Sequence, residues 1–188
     1  MRVIAGSAGG RRLVVPARGT RPTSDRVRES LFSTLDSELG EFDGRHVLDL
    51  YAGSGAVGVE AASRGAAHVL LVDSAQPAVV ACRRNAALVP DAAVAVIRAD
   101  VAAFVAAGPG APATPPYDVA VLDPPYDLAG DRVTAVLAGL VEGGWLADAA
   151  LVVVERDARS PALAWPDGLQ PRRSRRLGET VLWYGRRT

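Results

Sequence analysis

Cysteine is almost missing from this chain of 188 residues: Cys82 stands alone, so an internal disulfide and a thiolate metal cluster are both excluded. As a small residue in an apolar helical stretch, Cys82 reads as a packing residue. The two histidines, His46 and His68, each precede a strand and have no other metal-type ligand nearby in sequence. They read as structural, and no metal site is expected. No apolar run reaches the roughly 20 residues that span a bilayer. The start, MRVIAGSAGGRRL, has no signal-peptide hydrophobic region. A soluble cytoplasmic protein without membrane contact is therefore expected. Lysine is absent, all 21 basic residues being arginine. Codon bias explains that as readily as function, so it carries no weight.

What is present is apolar enough to form a sizeable core: 49% of residues are hydrophobic. The formal net charge of zero hides an asymmetry. Residues 1–28 hold seven arginines against Asp25, and residues 172–188 hold six against Glu179. The segment between has eight basic and nineteen acidic residues. Two basic ends around an acidic middle suit a polyanion such as nucleic acid, although charge runs are often only a solvated surface.

Two short strands, RVIA (2–5) and RLVV (12–15), are expected to form a hairpin, followed by a loop over 16–22. Thr23 or Ser24 can cap a helix with Asp25 in its first turn. Val27, Leu31 and Leu35 give that helix an apolar face. From residue 46 strands and helices alternate. Strands are expected at 46–50, 68–73, 93–98, 118–123 and 150–155, and a last one at 180–185. Helices are expected at 57–64, 77–88, 101–106 and 132–141, with a Gly/Pro-rich loop at 108–116. The fold class is α/β: a Rossmann-like, mostly parallel twisted sheet covered by helices on both faces, plus a small N-terminal extension. The expected division is 1–40 for the extension and 41–188 for the main domain. Trp145, Trp165 and Trp183 read as packing residues, with Trp183 near the basic flank.

The segment 47–58 is strand, glycine turn, helix. Gly53, Gly55 and Gly58 match the G-x-G-x-x-G dinucleotide fingerprint, a weak signal alone. Asp73 ends the next strand, where a carboxylate can hold ribose hydroxyls. Asp49, four residues before Gly53, discriminates between cofactors. A pyrophosphate placed in the turn would be repelled by it. S-adenosyl-L-methionine carries a sulfonium and an ammonium and would be attracted. The competing reading of Asp49 is a helix cap. Asp100, after the third strand, either reaches an adenine edge together with the amide of Val101 or simply caps the following helix.

Asp123-Pro124-Pro125-Tyr126 directly follows the fourth strand, where open α/β sheets bind ligands. The prolines stiffen the loop, so the Asp123 carboxylate and Pro124 carbonyl can act as paired acceptors. An exocyclic base amine is a poor nucleophile because its lone pair is delocalised into the ring. Acceptors gripping its N–H bonds free that pair, and Tyr126 offers a stacking face worth about 1–3 kcal/mol. The alternative is a rigid turn without chemistry.

RPTSDRVRESLF (21–32), VLDLYAGSGAVGVEAASRGA (47–66), VDS (72–74) and LDPPY (122–126) together closely resemble the bacterial 16S rRNA guanine-N2-methyltransferases of the RsmD type. The resemblance runs through nearly the whole chain, and RPTSDRVRESLF is its specific part. It implies a class I S-adenosylmethionine-dependent enzyme that methylates the N2 amine of a guanine in 16S rRNA, free or within an assembled or assembling small ribosomal subunit; nothing in the sequence demands more than a monomer. By motif, Asp49, Tyr51, Gly53, Gly55, Asp73, Ser74, Asp100 and Val101 would line the cofactor site. Asp123, Pro124, Pro125 and Tyr126 would hold the guanine. Arg11, Arg12, Arg21, Thr23 and Arg26 would contact RNA. The alternatives are a DNA adenine-N6/cytosine-N4 methyltransferase, a protein glutamine methyltransferase, a noncatalytic ribosome-assembly factor and an NAD-dependent oxidoreductase. A DNA enzyme usually needs a target-recognition region, for which 188 residues leave little room. Asp123 disfavours a glutamine substrate and Asp49 disfavours NAD. Intact Asp49, Gly53 and Asp123 disfavour a noncatalytic factor.

Overall fold

The apolar runs pair side by side into one seven-stranded sheet in the computed structural model, which describes residues 1–16, 24–110, 113 and 116–188. In chain order the elements are α1 (Asp25–Leu39), β1 (His46–Leu50), α2 (Ala56–Ser63), β2 (His68–Asp73), α3 (Gln76–Ala86), β3 (Ala93–Arg98), α4 (Val101–Ala106), β4 (Tyr117–Leu122), α5 (Gly130–Glu142), β5 (Leu146–Asp157), β6 (Leu169–Leu177) and β7 (Thr180–Arg187). The sheet order is β3-β2-β1-β4-β5-β7-β6. Its first five strands are parallel, and β7 enters antiparallel between β5 and β6. The direction of sheet growth reverses between β1 and β4, and this leaves a crevice at their carboxyl ends.

Side chains two apart on a strand share a face, so each strand feeds two core layers. Val47, Val69, Val119, Val121, Leu151 and Val153 pack under α1 and α2. Leu48, Leu70, Ala120, Leu122, Val152 and Val154 pack under α4 and α5. Trp145 is fully buried in the second layer, its indole N–H donating to the Val105 carbonyl at 3.2 Å. His46, His68 and Tyr117 cluster ring against ring at the opposite end of the sheet from the crevice, in keeping with structural histidines.

The N-terminal hairpin differs from expectation. The two arms do pair, through the Arg2–Arg12 bridge and the bonds from Val3 to Arg11, Gly10 to Val3 and Leu13 to Met1, but no ladder extends beyond these because the remaining backbone N–H groups turn to other partners. Ile4 and Ala5 donate to the Glu60 carboxylate at 2.6 and 3.0 Å, Ala8 to Ser63 Oγ at 2.9 Å and Val14 to Asn85 Oδ1 at 2.9 Å. Val3, Ala8 and Leu13 sink into the same layer as α1. Arg28 is turned inward and fully buried. It donates to the Arg2 carbonyl at 2.6 Å and to Asp25 at 2.7 Å, and lies 3.6 Å from Glu60. The buried pair of Arg28 and Glu60 thus joins α1 to α2, and the strap is latched to both of its members by backbone hydrogen bonds.

Other boundaries shift modestly. β5 begins at Leu146 rather than residue 150. β6 was not expected: LQPRRSRRL is exposed nearly throughout, so it has no apolar alternation to betray a strand. It is an edge strand, where charge and proline are tolerated. The expected loops at 16–22 and 108–116 lie partly outside the described residues.

Candidate active site

β1 runs into a turn built from left-handed residues: Tyr51 has φ 60°, Gly53 57° and Gly55 73°. Asp73, at the end of β2, holds the turn from the neighbouring strand. Its carboxylate accepts from the amides of Gly53 and Ala75, each at 2.8 Å. Gly55 and Gly58 serve packing: a Cβ at Gly55 would lie 2.9 Å from Leu71 Cδ1, and one at Gly58 2.2 Å from Leu71 Cδ2. Only glycine lets α2 come this close to β2. Cys82 supports the same turn, its thiol donating to the Gly53 carbonyl at 3.4 Å. Burial, together with the nearby Asp49 and Asp73 charges, holds that thiol protonated.

Asp49 serves as a cap from a distance. Its Oδ2 accepts from the Gly58 amide, in the first turn of α2, at 2.9 Å. It also faces a cavity of about 300 Å³, so the capping and ligand-facing readings coexist. Burial is the main reason its carboxyl is pushed up to about 7; the Gly58 amide works against this, and the Asp123 and Asp73 charges add to it.

The cavity brings together Asp49, Tyr51, Gly53, Asp73 and Ser74 from the glycine-turn half with Asp123, Pro124, Pro125 and Tyr126 from the loop after β4. Four carboxylates line it (Asp49, Asp73, Asp123 and Glu155) and no arginine among the described residues does. That environment repels a pyrophosphate and suits a ligand carrying sulfonium and ammonium charges. The donor set therefore fits S-adenosylmethionine. Burial and the nearby Asp100 charge push the Tyr51 phenol up to about 12, so it stays neutral as a hydrogen-bonding group.

The Asp-Pro-Pro-Tyr loop is held at both ends. The Asp123 amide donates to the Leu50 carbonyl at 3.3 Å, and the Leu128 amide closes a turn onto the Pro125 carbonyl at 2.9 Å. Arg156, buried at the end of β5, donates to the Leu128 carbonyl at 2.9 Å. Pro124 is buried while Tyr126 is half-buried.

Several candidate residues lie elsewhere. Gly55 does not line the cavity. Asp100 caps α4, accepting from the Ala103 amide at 2.9 Å. Val101 is buried in the second core layer. Arg11 and Arg12 are exposed on the strap, and Arg11 donates to the Leu88 carbonyl at 3.1 Å. Arg21 and Thr23 lie outside the described residues. Arg26 is exposed on the first turn of α1, between Ser24 and Val27, which line the cavity. Sequence reasoning missed Ser24 and Val27 as lining residues, and also Glu155 and Thr180. Glu155 did leave a signal: it is the charge that ends the buried run ALVVV.

The family described as conserved hypothetical protein 95 matches residues 1–186. The chain is 35% identical to ribosomal RNA small subunit methyltransferase D of Escherichia coli over 161 residues, 85% of this chain and 76% of that protein. It is 31% identical to the protein of the same name from Haemophilus influenzae over 166 residues, 87% and 82% of the two chains. The solved structure of the E. coli protein yhhF superposes with a TM-score of 0.81 at 30% identity, covering 100% of this chain and 97% of that one. With its reversed sheet, acid-lined crevice and proline loop, the chain belongs to the ribosomal RNA small subunit methyltransferase D family and is a class I methyltransferase dependent on S-adenosyl-L-methionine.

Proposed function

We propose that the enzyme methylates the exocyclic N2 amine of a guanine in 16S rRNA, acting as a monomer in the cytoplasm on RNA that is free or within an assembled or assembling small subunit. The observation that carries this reading is the single cavity in which the Asp-Pro-Pro-Tyr loop meets the acidic glycine turn. The names of the relatives supply the RNA class.

Asp49 and Asp73 favour a cationic ligand, and the turn of Tyr51 and Gly53, with Ser74, surrounds it. Asp123 and the Pro124 carbonyl accept the two N–H bonds of the target amine and localise its lone pair. Tyr126 stacks on the base, and the latched loop fixes the angle of attack, since positioning supplies much of the acceleration. S-adenosylmethionine, held by Asp49, Asp73, Ser74 and the turn of Tyr51 and Gly53, would supply a methyl group on a positive sulfur, which would keep the bonding electrons as the methyl passes to the amine nitrogen. The Asp123 carboxylate then receives the surplus amine proton and passes it to solvent. Asp100 and Val101 act at the adenine side through the α4 N-terminus, and Gly55 acts through the shape of the turn. Residues 1–40 form the RNA-contacting extension, with Arg11, Arg12, Arg21, Thr23 and Arg26 on phosphates.

The test supplies labelled methyl donor with naked 16S rRNA, small subunits and duplex DNA, followed by nucleoside analysis. Labelled N2-methylguanosine from RNA is expected. Label in N6-methyladenine from DNA, with none in RNA, would overturn the proposal.

A further inference from the structure

Neither the methyl-donor half of the cavity nor the Asp-Pro-Pro-Tyr grip uses Glu155, yet it is a cavity-lining carboxylate that is only 6% exposed. β4 and β5 run parallel with Val121 beside Val153 and Leu122 beside Val154. Continued one step past the end of β4, that register would bring Asp123 beside Glu155, neighbouring strands being about 4.8 Å apart, and both residues line the same cavity. Val121 and Val153 share a core layer, so Asp123 and Glu155 share a face. On the other side Thr180 Oγ1 donates to Glu155 Oε1 at 3.5 Å, which orients the carboxylate in the cavity wall. Two acceptors therefore stand side by side on the half of the cavity where the base amine is to be held.

The grip formed by Asp123 and Pro124 accepts N–H bonds from the amine of guanine, adenine or cytosine alike. What differs is the ring nitrogen on one side of the amine, guanine also having a bare N3 on the other. Guanine N1 carries a hydrogen; adenine N1 and cytosine N3 carry a lone pair. A carboxylate adjacent to the grip accepts the former and repels the latter. We infer that Glu155 selects guanine by accepting the N1–H of the target base while Asp123 and Pro124 hold its N2 amine. This inference rests on the guanine-N2 reading above and adds the residue that enforces it.

The test uses the full chain and a small-subunit RNA in which the methylated guanine, located first by mapping, is replaced by 2-aminopurine. That analogue keeps the amine at C2 but has a bare N1 and no O6; comparing the preference of wild type with that of the Glu155 variant cancels the O6 contribution. The wild-type enzyme is expected to favour guanine over 2-aminopurine in kcat/KM by about 10- to 100-fold, the usual effect of one lost hydrogen bond to a charged acceptor. In Glu155→Gln the amide can donate to a bare N1 as well as accept from N1–H, and the preference is expected to fall toward unity. A merely structural role would lower both rates together and leave their ratio unchanged, which overturns the inference. Wild-type enzyme that uses both bases equally well also overturns it, and that result needs no variant to fold. If no RNA yields N2-methylguanosine, the reaction reading itself fails and the selector role goes with it. If N2-methylguanosine forms and the ratio does not respond to Glu155, only the selector role fails.

Discussion

Replacing Asp49 with Asn should trade cofactor affinity for stability, in a manner that depends on pH. Burial, reinforced by the Asp123 and Asp73 charges, raises the Asp49 carboxyl from 3.8 to about 7 in the ligand-free protein. A cationic ligand needs the carboxylate. With a midpoint near 7, about one-tenth of Asp49 is ionised at pH 6 and about nine-tenths at pH 8. Wild-type affinity for S-adenosylmethionine should therefore rise about tenfold across that interval, with net proton release near pH 7. Titration calorimetry in two buffers of different ionisation enthalpy measures both. The Asn variant should bind more weakly at pH 8 and lose the Asp49 share of the slope. Stability runs the other way. A carboxyl raised on folding is harmless below its unfolded value of 3.8 and destabilises increasingly as pH climbs to about 7. Asn keeps an acceptor for the Gly58 amide without the buried charge. The ligand-free variant should thus be more stable at pH 8, by at most about 4 kcal/mol. An Asn variant with the same rise in affinity from pH 6 to 8 as wild type would refute the assignment.

Arg156→Met should free the turn at Leu128 and lower kcat by about tenfold or more while leaving the cofactor Kd unchanged; stopped-time methyl transfer and calorimetry separate the two. Glu60→Gln should cost about 1–3 kcal/mol in urea unfolding, because it removes the buried carboxylate beside Arg28 and leaves that cation only the more exposed Asp25. Gly58→Ala should cost about 1–3 kcal/mol, since the added methyl meets Leu71 and Val69; a melting temperature equal to that of wild type would contradict the close approach. Arg26→Ala and Arg175→Ala should each reduce the slope of log affinity against log salt for single-stranded RNA by about 0.7. Arg175 is chosen because the register places it across Leu182 from Glu155, in line with the cavity.

The central βαβ region was legible because its strands are covered on both faces, so burial writes itself as short continuous apolar runs. HVLDL and HVLLVD are bounded to the residue for that reason, while AVAVIR, an edge strand without a buried residue, is legible from its β-branched run alone. Asp49, Asp73 and Asp123 could be placed for the same reason, each standing at or beside the carboxyl end of such a run. The strap was less legible, because its backbone bonds go to Glu60, Ser63 and Asn85, more than fifty residues away in sequence. The inward turn of Arg28 depends on the same distant Glu60. β6 was invisible because an exposed edge strand need obey no apolar period. Glu155 and Thr180 enter the cavity only through the pairing of β5 with β7, a tertiary fact that no local pattern encodes.

The β6 edge has a further consequence. Arg172, Arg173, Arg175 and Arg176 stand exposed along the sheet's outer margin, where unsatisfied backbone groups could otherwise recruit another sheet. Two such margins brought together would set like charges against each other, with only Arg173, among the described residues, offset by Glu38. A polyanion laid there meets attraction instead. Charge on this border is thus expected to oppose edge-to-edge pairing of two copies while favouring a polyanion.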